Sequence, residues 1–364
     1  DAALATQLVG FAVTRVTVQL ADVGTGVWLA RRRIPAARLE RSLFDATEYA
    51  KIRGTVWSFS QVTVLLNIMP RFMAILINLF FGIAYNALWE ITVQFAGYAW
   101  VASEGLLRGI APLTAYLQEG GRGRVALDLM ARSIRYHLIV LLPAALLLGL
   151  YARPLLELWV GRRLAADPNL SAAGIGVAQA LTLAAAMAAV MLTAHTLRGA
   201  FFGVERVLYG MGEVRAYAWC SKWATLGAVA VATAGMAALG TPLAAPIGIL
   251  AGMGLHSIVG VLGAARRRAG LPIGPALRRS LPRPLAANLV FLAILLACRP
   301  LFDEPSLPRL GALLLGGGLV YGLLALLLTP EPDERPRLLE IARQVPRLLR
   351  RRSPSGSAGS TPSR

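Results

Sequence analysis

Runs of about twenty apolar residues, separated by short arginine-rich stretches, recur along the whole chain. A run of ~20 apolar residues is long enough to cross a hydrocarbon core ~30 Å thick, and in that setting only a helix satisfies its own backbone. This pattern predicts an all-α, polytopic transmembrane helix bundle. The composition agrees: 56% of residues are hydrophobic and only 15% are charged, against ~25% charged in soluble domains. The candidate spans lie at about 5–30, 55–81, 84–110, 136–152, 174–197, 217–239, 242–264, 283–300 and 309–328, which makes about nine. The fourth and eighth are short enough to extend into their flanks.

A net charge of +18 in isolation suggests nucleic acid. Here the basic residues sit between apolar runs and no nucleic-acid-binding motif accompanies them, so no nucleic-acid partner is expected. Basic residues between spans are instead the orientation signal of the positive-inside rule. With the segment Arg31 to Arg53 on the cytoplasmic side, alternation adds 111–135, 198–216, 265–282 and the tail after 329. Those segments hold most of the 37 basic residues. The opposite side holds Arg153, Arg162, Arg163, Arg299 and Arg309.

The segment 31–54 reads as an amphipathic surface helix, and 331–352 as a basic amphipathic tail suited either to an anionic inner leaflet or to water. The last stretch, SPSGSAGSTPSR, has the composition of disorder. The chain opens on Asp1 directly before an apolar run, and an N-terminal part is expected to be missing.

No catalytic constellation is present in the sequence. The histidines His137, His195 and His256 stand apart, and no phosphate loop, nucleophile elbow or metal-ligand spacing occurs. Neither an enzyme nor a cofactor or metal site is expected. Cys220 and Cys298 read as spectators packed as small hydrophobes. Gly316-Gly317-Gly318 and the stretch Gly248 to Gly254 read as sites of close helix packing.

The informative residues are polar groups inside spans, where a charge costs ~2.5–3.5 kcal/mol and normally faces a bundle interior or a wet cavity. The first span carries Gln7, Arg15, Gln19 and Asp22 on one helical face. The second carries Ser60, Asn67, Arg71 and Asn78, with Pro70 beside Arg71 predicting a broken helix. The third carries Asn86, Glu90, Gln94, Gly97, Glu104 and Arg108. Three such stripes predict three helices around a hydrated cavity. Arg15, Gln19, Asp22, Asn67, Arg71, Asn78, Glu90 and Gln94 form its lining, and the two arginines provide its cations for a phosphate or pyrophosphate. Asp22, Glu90 and Glu104 are the candidates for ion coupling. Against this, Glu104 and Arg108 stand four apart and suit a simple intrahelical pair. His195 near Arg198 suits an interface anchor.

Three stretches carry a family resemblance over roughly residues 5–270: IAPLTAYLQEGG, then LIVLLPAALLLGLYARPLLELWVG, then FFGVERVLYGMGEVRAYAW. The second ends on Pro154, Leu155, Leu156, Leu158, Trp159, Val160 and Gly161, and the third holds the turn Leu208 to Arg215. They resemble the second half of flippases of the multidrug/oligosaccharidyl-lipid/polysaccharide superfamily, on its Wzx-type branch for O-antigen and exopolysaccharide. The resemblance implies two helical lobes working by alternating access in a bacterial cytoplasmic membrane. Residues 1–30 would be the last span of the first lobe, 31–54 a linker and 55–264 the second lobe of six spans. Residues 265–329 would be two additional spans, and 330–364 the cytoplasmic tail. The implied partners are a lipid-linked oligosaccharide, membrane lipids, and polysaccharide polymerase or export machinery. A drug/cation antiporter of the same superfamily is the alternative. A membrane polymerase or ligase is a more distant one, since the longest expected extracytoplasmic loop, near 153–173, holds only Glu157 and Asp167 as acids.

Overall fold

The computed structural model describes residues 2–33, 44–120, 123–267, 270–271, 273–302 and 306–330. The described residues are helical throughout, joined by short turns. In chain order the α-helices are α1 (Ala2–Arg33), α2 (Ala46–Phe81), α3 (Ile83–Glu104), α4 (Ile110–Glu119), α5 (Gly123–Leu150), α6 (Ala152–Ala165) and α7 (Pro168–Ala172). They continue with α8 (Val177–Gly210), α9 (Arg215–Leu239), α10 (Ala244–Gly254), α11 (Gly263–Arg267), α12 (Ile273–Ser280), α13 (Pro282–Cys298) and α14 (Leu307–Leu328). A π-helix, Leu255–Leu262, joins α10 to α11. Among the described residues, seven helical stretches are long and apolar enough to cross a membrane, so the protein is a multi-pass membrane protein. The expected first and third spans form as α1 and α3. α3 is not among the seven, because its polar stripe dilutes the apolar window. The third is also shorter than expected: it ends at Glu104, and a 3-10 turn at Gly105–Leu107 leads into α4.

The chain divides into two compact units at Val56/Trp57, two residues beyond the expected linker boundary. In the first unit α1 is exposed along Val16, Leu20, Val23 and Trp28. Its threonines are satisfied on their own helix, with Thr14, Thr17 and Thr25 donating to the carbonyls four residues back. α2 starts at a cap, where the Asp45 carboxylate accepts from the amides of Thr47 and Glu48 at 2.7 and 3.2 Å. The centre of the expected linker helix, 34–43, and the expected tail, 331–364, lie outside the described residues.

The second unit is built around α8. At 34 residues this helix is ~50 Å long, longer than a bilayer core is thick. It packs against α3, α4, α5, α6 and α10, and small or flexible residues (Ala180, Ala184, Met187, Ala188, Met191) let those neighbours approach. α9 and α10 form a tight hairpin turned by Gly240, whose φ of 58° is left-handed. Their contact runs along Gly248 and Gly252 on one side and Ala224, Ala228 and Ala232 on the other.

The last two spans form a smaller core with α5 around Leu147, Tyr151, Phe291, Leu295, Leu313 and Tyr321. The Tyr151 hydroxyl donates to the Leu295 carbonyl at 2.8 Å, a buried bond spanning 144 residues of sequence. Tyr151→Phe is expected to cost about 1 kcal/mol, read as a lower unfolding midpoint in detergent.

Candidate functional site

Two polar constellations occur in the second unit, one exposed and one buried. The first is built on α2 and α3, which are joined by the single residue Gly82. That glycine has φ 87°, a conformation other residues rarely adopt, and the turn brings the two helices back against each other. α2 buries Leu66, Met69, Met73 and Ile77, while α3 buries Leu88, Trp89, Phe95 and Ala96. The helical period then sends the polar stripes the other way. Arg71 Nη1 lies 3.0 Å from both carboxylate oxygens of Glu90, and the two side chains are 68% and 46% exposed. Asn67, Asn78 and Gln94 are exposed as well, and Gln94 donates to the Tyr98 hydroxyl at 3.3 Å.

These residues therefore form an outward polar face on the unit rather than the lining of its own interior. The helix break expected at Pro70 does not occur, since α2 runs unbroken from Ala46 to Phe81. Instead the Trp89 indole N–H crosses the hairpin to the Pro70 carbonyl at 3.0 Å. Of the α1 residues expected at the same site, Gln19 and Asp22 are exposed on the first unit. The side chains of Gln7 and Arg15 lie outside the described residues.

The second constellation is buried, and no sequence periodicity marks it. Glu205 on α8 and His256 on the π-helix are both buried, with Nε2 of the imidazole 3.6 Å from a carboxylate oxygen. Ser221 of α9 stands 3.0 Å from Nδ1 of the same ring. The next residue on α8, Arg206, approaches Glu104 of α3 at 3.5 Å. Glu104 thus reaches a partner on another helix rather than the expected Arg108. Arg198 lies over the Trp100 ring at 4.6 Å, and Arg206 over Phe202 at 4.5 Å.

The histidines expected to stand apart do not. The rings of His137 and His195 lie 6.0 and 5.7 Å from Trp100, with His137 buried and His195 half-buried. Cys220 and Cys298 are unpaired and half-buried. The Cys220 thiol lies 3.6 Å from the carbonyl of Leu255, where the π-helix begins. The chain matches no family model, no curated protein and no solved structure.

Proposed function

We propose that this protein is a transporter that flips a polyprenyl-pyrophosphate-linked oligosaccharide across a bacterial cytoplasmic membrane. The observation that carries the reading is the outward Arg71–Glu90 pair. Arg71 lies ten residues before the end of α2, hence ~15 Å along the helix, near the middle of a ~30 Å core. A charge left against lipid at that depth costs ~2.5–3.5 kcal/mol, so this face borders water. Asn67, Asn78 and Gln94 extend it with amides that bond sugar hydroxyls. A guanidinium held only by one carboxylate can trade that partner for a phosphate, which it grips through two parallel hydrogen bonds.

An apolar cavity of about 490 Å³ between α3, α5, α13 and α14, lined by Phe291 and Tyr321 among others, supports the same reading. It suits a prenyl chain that stays in lipid while the headgroup crosses. Alternating access by two lobes would carry the face from one side to the other.

The antiporter reading draws on the same pair, since the half-exposed Glu90 carboxylate also suits a cationic cargo. The two readings separate on single substitutions in the whole reading frame. The test is surface polysaccharide display in a flippase-deficient strain at matched protein levels. For a flippase, Arg71→Ala is expected to lower display at least tenfold, with lipid-linked intermediate accumulating on the inner face, while Glu90→Gln keeps most of it. Normal display by Arg71→Ala removes this face from the transport path. Drug resistance lost in Glu90→Gln and kept in Arg71→Ala moves the antiporter to first place.

A further inference from the structure

The buried cluster takes no part in the reading above. We propose that Glu205, His256 and Ser221 form a proton-binding site inside the second unit. The site does not depend on what the Arg71–Glu90 face carries.

Hydrogen-bond accounting makes the first argument. The Ser221 hydroxyl has one proton and two neighbours, the Tyr217 carbonyl at 3.2 Å and Nδ1 of His256 at 3.0 Å. If the proton points at Tyr217, Nδ1 must donate to the serine oxygen, and Nε2 then faces the Glu205 carboxylate either bare or protonated. A bare nitrogen against a carboxylate is repulsive, so this arrangement calls for one more proton. If the serine proton points at Nδ1, Nε2 carries the hydrogen and the ring is neutral. Rotating one hydroxyl therefore switches the triad between an arrangement complete with its present protons and one that binds another. The 3.6 Å gap between Nε2 and the carboxylate is just beyond a hydrogen bond and can shorten when that proton arrives.

Charge balance makes the second argument. The groups packed around the triad are Arg198 and Arg206 from α8 and Glu104 from α3. α9 adds Tyr217, whose ring lies 6.0 Å from the imidazole, and the half-buried thiol of Cys220. α10 contributes no titratable side chain, and Lys222, Arg266 and Arg267 are exposed. Two arginines thus offset two glutamates, and His256 decides whether the cluster is neutral or carries one positive charge. Histidine is the side chain whose ordinary range lies near neutral pH.

The backbone makes the third argument. A π-helix is rare and is frequently found at a functional site. Here it begins at Leu255, one residue before His256. The surrounding helix ends carry Arg206, Arg215, Arg266 and Arg267, which marks this end as the cytoplasmic one. Glu205 stands five residues inside the end of α8, or ~7.5 Å, so the exchanging protons are those of the cytoplasm.

The test uses the protein in lipid nanodiscs with nitrogen-15 histidine. The three rings are assigned through His137→Gln and His195→Gln and followed by nitrogen–proton correlation from pH 8 to pH 5. The expected result is that the His256 ring gains a proton across this range. Glu205→Gln should weaken that uptake about tenfold, one pH unit, by removing the facing charge. Should Glu205→Gln not fold, Glu205→Asp serves, because a retracted carboxylate must also displace the titration. A His256 ring fixed in one state from pH 8 to pH 5, or a titration that neither variant moves, overturns the assignment.

Discussion

Gly248→Val is expected to prevent the second unit from assembling, seen as loss of folded protein from the membrane fraction. A β-carbon at this position would fall 2.4 Å from the Ala228 carbonyl oxygen, 2.8 Å from the Ala232 β-carbon and 3.1 Å from the Ala232 amide nitrogen. One turn on, a β-carbon at Gly252 would fall 2.7 Å from the Ala224 carbonyl. These obstacles are helix backbone, which cannot retreat as a side-chain tip can. Gly248→Ala should therefore already cost ~1–3 kcal/mol through overpacking, and valine adds two methyls to the same gap. Gly318 provides the control: nothing lies within 4 Å of its would-be β-carbon, and Gly318→Ala should not lower the unfolding midpoint.

Glu205→Leu should be the most damaging change in the buried cluster, at ~3–5 kcal/mol, because it leaves a buried pair broken on one side. Arg198 and Arg206 would then be left with Glu104, and His256 would lose the carboxylate facing its Nε2. If the cost is stranded charge rather than lost shape, Glu205→Leu combined with His256→Leu should recover part of it. A double-mutant cycle on unfolding in mixed micelles measures that coupling. Strict additivity of the two single costs would show that the residues act separately.

Hydropathy and arginine spacing were enough to read the helical class, the membrane and most span positions, because both signals are local and repeat along the chain. The Arg71–Glu90 face was legible for the same reason: each partner lies on a stripe of constant helical period. What periodicity could not supply was the direction of the stripes, which depends on where Leu66, Met69, Leu88 and Trp89 find their core. Glu205 and His256 were out of reach by sequence separation. They lie on different helices 51 positions apart, and neither belongs to a stripe. The one available signal was a lone carboxylate in the apolar stretch FFGVERVLYG, a residue that needs a partner from elsewhere. The glycines show the same limit. Gly248 and Gly252 mediate close packing as expected, whereas Gly316 and Gly318 stand in open space, and nothing in their spacing distinguishes the two groups.

The Arg71–Glu90 bond also bears on how the chain enters the membrane during synthesis. α2 emerges first with an arginine ten residues before its end, and α3 alone falls short of the apolar composition of a span. Each holds what the other lacks: α2 the hydrophobicity, α3 the counter-charge. Gly82 leaves no loop between them. Inserting the two helices as one completed hairpin would let Glu90 offset the cost of bringing Arg71 into the membrane.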